Sequence, residues 1–162
     1  MRALAASLQR TADGGLRLCY RLEAEAAHLC LPAPVAGAGR ADELWRHTCF
    51  EAFVAGSGSR GYREFNFSPS GEWAVYAFTA YRAGMNAPDL ACAPTLRWQR
   101  AADQLSLTAT LPSAMLPADT GALRLALAAV IEEQSGTISH WALHHPAGQP
   151  DFHHPASFAL EI

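Results

Sequence analysis

The sequence predicts an all-β chain: an antiparallel β-sandwich forming a single domain over residues 1–162. Three observations lead there. Apolar and polar residues alternate with period two through much of the chain. Clusters of Gly, Pro and Ser interrupt those runs at short intervals. Ten prolines are scattered along the chain, which discourages long helices.

Taken in order, Leu16, Leu18, Tyr20 and Leu22 alternate with Arg17, Cys19 and Arg21, the pattern of a strand with one buried face. Phe50, Ala52 and Val54 make a second set, Phe65 and Phe67 a third, and Trp73, Val75 and Ala77 a fourth. Leu105, Leu107, Ala109 and Leu111 alternate with Ser106, Thr108 and Thr110. Residues 123–133 are rich in alanine and helical by propensity alone. The alternation of Leu123, Leu125 and Leu127, followed by Val130-Ile131, predicts a strand instead. Phe158, Leu160 and Ile162 close the chain. Gly14-Gly15, residues 32–39, Gly56-Ser57-Gly58, Pro69-Ser70-Gly71, residues 112–117 and residues 146–155 are expected turns or loops.

Bulk properties narrow the function classes. A chain of 162 residues, half of them hydrophobic, can bury a core without disulfides or a structural metal. Only 17% of residues are charged, and the net charge is -3. That field has the wrong sign for nucleic acid or an anionic membrane surface. No apolar run approaches the roughly 18 residues of a membrane span. The opening stretch is broken by Ser7, Gln9 and Arg10 and does not read as a signal peptide, so a soluble cytoplasmic protein is expected. Cys19, Cys30, Cys49 and Cys92 form no C-x-x-C pair and are expected to be free thiols.

The most informative segment runs from Trp45 through Arg82. In a strand, His47, Cys49, Glu51 and Phe53 share one face, and Thr48, Phe50, Ala52 and Val54 the other. With Phe65 and Phe67 in the core, Tyr62, Glu64 and Asn66 take the opposite face. A hairpin through Gly56-Ser57-Gly58 then gathers His47, Glu51, Tyr62, Glu64 and Asn66 on one patch. Carboxylate and amide groups hydrogen-bond sugar hydroxyls, and the rings of Trp45, Trp73 or Trp141 can stack on the apolar face of a pyranose. Arg82 adds a bidentate donor. The competing reading is structural: Glu51 and Glu64 on a solvated face, paired with Arg46, Arg63 or Arg82, and Asn66 building a turn with Ser68-Pro69-Ser70-Gly71.

A second cluster lies near the C-terminus: His140, Trp141, His144 and His145, then Asp151, Phe152, His153 and His154. Imidazoles at this density suggest a metal or haem. The spacing matches no zinc pattern, and the expected role is a hydrogen-bonded loop over a sheet edge, with His144 or His145 closing one side of the pocket. The chain contains no G-x-S-x-G, G-x-G-x-x-G or P-loop pattern. Cys49 beside His47 reads as a packed thiol rather than a nucleophile, and Glu51 with Glu64 as ligand contacts rather than a glycosidase pair.

Three stretches carry a family resemblance. They are Leu44-Trp45-Arg46-His47-Thr48-Cys49-Phe50-Glu51, then Tyr62-Arg63-Glu64-Phe65-Asn66-Phe67-Ser68-Pro69-Ser70-Gly71-Glu72-Trp73-Ala74 with Tyr81-Arg82, and finally Trp141-Ala142-Leu143-His144-His145-Pro146 with Pro150-Asp151-Phe152-His153-His154-Pro155. Together they resemble the bacterial DOMON-like domains, which are related to family 9 carbohydrate-binding modules. The resemblance implies a β-sandwich holding a ligand on one sheet face. In the wider group that ligand is a sugar or haem, the haem carried by Met and His in secreted members. Met85 and Met115 fall in expected loops here. A cytoplasmic member would meet a soluble sugar, a nucleotide sugar or a cell-wall precursor.

The expectation is therefore a non-catalytic domain that binds a small carbohydrate-like ligand and needs no cofactor. Its expected contacts are Trp45, His47, Glu51, Tyr62, Glu64, Asn66, Trp73, Arg82, Trp141 and His144. One alternative is haem or metal binding through His140, His144, His145, His153 or His154. The other is a protein-interaction module without a small ligand.

Overall fold

A computed structural model describes residues 3–118 and 121–162. Met1 and Arg2 of the opening stretch lie outside the described residues. In chain order the strands are β1 (Ala3–Arg10), β2 (Leu16–Glu23), β3 (Cys49–Gly56), β4 (Tyr62–Phe67), β5 (Trp73–Phe78), β6 (Thr95–Arg100), β7 (Gln104–Leu111), β8 (Leu123–Glu132), β9 (Ile138–Ala142) and β10 (Leu160–Glu161). They form two antiparallel sheets, a β-sandwich as the alternation predicts. The smaller has the order β1-β2-β7-β6. The larger runs β10-β8-β3-β4-β5, with β9 also paired to β8.

The smaller sheet follows the period-two rule closely. Leu16, Leu18, Tyr20 and Leu22 stand opposite Leu111, Ala109, Leu107 and Leu105, and all eight point into the core. The larger sheet answers with Phe50, Ala52 and Val54 from β3, Phe65 and Phe67 from β4, Val75 from β5 and Leu125, Leu127, Ala129 and Ile131 from β8. The Tyr20 hydroxyl crosses the core and donates to the backbone carbonyl of Glu51 at 2.7 Å. Residues 123–132 form a strand despite their alanine content, because both long edges of β8 find partners and its leucines find the core. Two edge strands, β1 and β6, were not anticipated: their apolar faces are only partly buried and their alternation is weak.

The two sheets differ in one respect that decides where the site can be. Every residue of β3 is buried, on both faces. The inner face packs on the smaller sheet, as expected of a sandwich. The outer face is covered too, by the segment around Leu44 and by Phe152 and Phe158 of the C-terminal segment. Glu51 and Glu64 therefore do not sit on a solvated face: they are 3% and 6% exposed. The four cysteines are free thiols. Among the described residues no helix is long and apolar enough to cross a membrane.

Candidate functional site

The register places the polar residues of β3 and β4 side by side on the outer face. Glu51 stands opposite Asn66, and Phe53 opposite Glu64. Glu51 and Glu64 are thus diagonal neighbours across the strand pair, within reach of one another. On either side the same face carries Ala74, Ala126 and Ala128, whose small side chains leave room above the sheet. The result is a cavity of about 580 Å³. Glu51, Glu64, Tyr76, Phe78 and Val130 line it from the sheet, Trp45, Arg82 and Met85 from the flanking loops, His140 from β9, and Pro150, Phe152 and His153 from the C-terminal segment.

Glu51 is the unusual member. Among the described residues its carboxyl group has no hydrogen-bond partner, although it is almost wholly buried. Burial, and then the neighbouring Glu64 carboxyl, push its pKa well above the ordinary glutamate range. Glu64 is also raised by burial, against the opposing effect of Asn66, whose amide donates to Oε1 at 2.8 Å. Asn66 in turn accepts from the Cys49 thiol. A neutral carboxyl at this position offers both a donor and an acceptor to whatever enters the cavity.

His153 forms the opposite wall. The backbone N–H of Arg82 donates to the Tyr62 hydroxyl at 3.2 Å. That hydroxyl shares a hydrogen bond with His153 Nδ1 at 2.8 Å. Burial, and then the Arg82 charge, lower the His153 pKa to about 4, so the ring is neutral at pH 7. Its Nε2 faces Glu64 Oε2 across 3.8 Å. That separation is too long for a hydrogen bond and leaves both atoms open to a ligand.

Asp151 pins this wall in place. Its Oδ1 accepts from the Arg82 guanidinium at 2.8 Å and from the His153 backbone N–H at 3.1 Å, and its Oδ2 accepts from Tyr81. Tyr76 is fixed in the same way, its hydroxyl donating to Asp42 at 2.7 Å, and Trp45 meets its ring edge-on at 5.7 Å. Glu43 and Arg82, on loops beside the cavity, are the two non-glycine residues with positive φ among those described, at 60° and 51°. Held left-handed backbone at such positions is the kind of local strain that clusters at ligand sites.

The expected site residues divide accordingly. Trp45, Glu51, Glu64 and Arg82 line the cavity together. Tyr62 and Asn66 hold lining groups by hydrogen bonds. His47 is largely exposed and bonds Glu132 at 2.8 Å, outside the cavity. His144 is exposed and lies off the lining, where His140 and His153 stand instead. Trp73 and Trp141 do not join the others: they pair with Phe67 and Ala129 and face the inter-sheet core. Their place in the alternation gives the reason. Trp73 has the parity of Val75, and Trp141 the opposite parity to His140. The aromatic wall comes instead from Tyr76, Phe78 and Phe152, which sequence reasoning passed over. The parity shared by Ala74, Tyr76 and Phe78 was the available signal.

Of the two methionines considered for haem, Met115 is buried in the inter-sheet core, whereas Met85 lines the cavity with His140 and His153. The same cavity has a polar floor of two buried carboxyl groups beside Asn66, and His153 Nδ1 lies 2.8 Å from the Tyr62 hydroxyl. The described residues also contain no group of three or more His, Cys, Asp or Glu placed to hold a metal ion. His154 Nδ1 accepts the Ala156 N–H, and the rings of the cavity-lining His140 and of His145 rest against Phe152.

No family model matches the chain, and no curated protein matches it. Among solved structures the chain is similar to one from Bacteroides uniformis ATCC 8492, named as a "putative carbohydrate-binding protein". The two share 14% sequence identity at a TM-score of 0.66, over 95% of this chain and 75% of the other. The likeness is one of fold.

Proposed function

We propose that the outer-face cavity binds a polyhydroxylated small molecule, a carbohydrate or a close chemical relative. One observation carries the reading: the Glu51 carboxyl faces a cavity while almost wholly buried and without a hydrogen-bond partner. A fold has no reason to keep so costly an arrangement, since an apolar residue there would pack at lower free energy. A ligand hydroxyl satisfies it. The supporting features match sugar chemistry. Glu51, Glu64, Nε2 of His153 and Arg82 offer donors and acceptors around one space, and Trp45, Tyr76, Phe78 and Phe152 offer flat apolar surface. The naming of a structural neighbour for carbohydrate binding accords with this, as does the resemblance to DOMON-like domains. Within a cytoplasmic setting the ligand would be a soluble sugar, a nucleotide sugar or a cell-wall precursor.

The test is a panel of mono- and disaccharides at millimolar concentration, read by tryptophan fluorescence and melting temperature. A ligand at 100 times its Kd adds about 2.7 kcal/mol of stability. Glu51→Gln should weaken the response, and Trp45→Ala should remove its fluorescence component. A panel that leaves both signals unchanged overturns the reading.

A further inference from the structure

A second cavity, of about 450 Å³, adjoins the first. Arg60, Tyr62, Tyr81, Arg124, His153 and Phe158 are among its lining residues, and His153 lines both cavities. The two spaces differ in their charged groups. Glu51, Glu64 and the Asp151-paired Arg82 line the first, whereas Arg60 and Arg124 are the charged side chains lining the second, and among the described residues no carboxylate lines it. The whole chain is net negative, so two guanidinium groups on one wall are a local feature rather than a general excess of base.

Among the described residues neither arginine forms an ion pair. Arg124 lies over the Phe158 ring, 5.7 Å from its centroid, and one terminal nitrogen donates to the Ser59 carbonyl at 3.1 Å. Those contacts hold the guanidinium in place, but its Nε is buried without a hydrogen-bond partner. Glu161 stands opposite Arg124 in the β8–β10 register and forms no ion pair with it. Arg60 is exposed, with no hydrogen bond or ion pair among the described residues. A pre-ordered guanidinium beside a free one matches the planar donor geometry that carboxylate and phosphate oxygens accept.

We propose that this second cavity is an anion subsite, which takes the carboxylate or phosphate of a ligand whose polyhydroxylated part occupies the first. The ligand is then an acidic sugar rather than a neutral one. The inference rests on the sugar-binding reading for the first cavity, but the anion subsite itself can be tested apart from it.

Calorimetric titration with glucose, glucuronate, glucose 6-phosphate and inorganic phosphate separates the possibilities. The better-bound acidic sugar should exceed glucose by about tenfold, the worth of one charge-assisted hydrogen bond. Whether it is the uronate or the phosphate identifies the anion. Added salt should reduce that advantage. Arg60→Glu and Arg124→Met should each erase it while leaving glucose unaffected. Arg60 is exposed, and methionine keeps the packing over Phe158, so neither change threatens the fold. Inorganic phosphate that binds in an arginine-dependent way, with no glucose binding, keeps the anion subsite and removes the sugar reading. Equal affinity for neutral and acidic sugars overturns the proposal. So does an acid preference that survives both arginine variants, or a failure of all three anions to bind.

Discussion

The two faces of the β3–β4 pair are equally buried and chemically opposite. On the inner face Phe50, Ala52, Val54, Phe65 and Phe67 are fully buried. On the outer face Cys49, Glu51, Glu64 and Asn66 are scarcely more exposed. The inner side chains meet apolar neighbours from the smaller sheet, so their burial is stabilising in itself. The outer carboxyl groups lose water, and Glu51 gains no protein partner in return. Depth of burial therefore does not distinguish core from site here. What does is whether the buried groups are satisfied by the protein alone.

The comparison predicts opposite signs for truncation on the two faces. Phe50 packs between the rings of Tyr20 and Trp98, at 5.3 and 5.4 Å. Phe50→Ala should cost about 3–5 kcal/mol in urea denaturation, as for other buried aromatics. Glu51→Leu, one residue on, should raise stability by about 1–2 kcal/mol while abolishing any sugar response. If Glu51→Leu destabilises as strongly as Phe50→Ala, the outer carboxyl is structural and the distinction between the faces falls.

The pH dependence sharpens the same contrast within the outer face. The raised pKa of Glu51 means that the folded state holds its proton more tightly than the unfolded state. That contribution is full below the ordinary glutamate pKa and is lost as pH rises through the folded value. His153 behaves in the opposite sense. Its pKa falls from 6.5 to about 4, so its contribution is full above 6.5 and is lost as pH falls through 4. The His153 shift corresponds to something on the order of 3 kcal/mol between those limits. The two slopes oppose each other as pH rises from 4.5 toward the folded Glu51 value. Glu51→Gln should therefore make stability rise more steeply with pH across that window than in the wild type, and His153→Gln should make it rise less. Urea melts at three pH values in the window measure both. Parallel curves for all three proteins would remove the opposed pair.

How much of this was legible in the sequence depends on which contacts decide each element. Strands β2, β3, β4, β7 and β8 were legible because their apolar residues alternate and the alternation is satisfied by one core. The hairpin through Gly56 to Gly58 fixed the pairing of β3 with β4, and with it the convergence of Glu51, Glu64 and Asn66. Trp45 and Arg82 bracket those strands in the sequence and carry the ring and the guanidinium that suit a sugar. The C-terminal contribution was harder. His153 reaches the cavity through the turn after Pro150 and the Asp151 clamp, long-range contacts that leave no periodic trace. Trp73 and Trp141 were misjudged for the reverse reason. Their chemistry suits a sugar, but the parity of their strands points them inward.

The clamp gives the next effect in size. Asp151 joins Arg82 and Tyr81 to the His153 backbone and is itself only partly exposed. Asp151→Ala should cost about 1–2 kcal/mol, the loss of charge-assisted hydrogen bonds at a half-shielded position. It should also weaken sugar binding, because the His153 wall is no longer held. The inner-face cluster is untouched, so unfolding should stay a single cooperative transition. A full loss of stability without loss of binding would mean that the clamp serves the core and not the cavity.

The smallest effect belongs to a residue that shares its strand parity with Glu51 and still lies outside the site. His47 precedes β3 and has the alternation of Cys49 and Glu51, yet its side chain is 63% exposed and reaches Glu132 rather than the cavity. A polar contact this open is worth about 0.5 kcal/mol or less, because water competes for it and two flexible side chains must be ordered to form it. His47→Ala should therefore leave melting temperature and sugar response nearly unchanged. Glu51→Gln, four residues away on the same parity, should clearly weaken the response. The contrast isolates enclosure, not parity, as what makes a polar residue of this face part of the site. A His47→Ala variant that lost binding would extend the site past the end of β3 and refute that boundary.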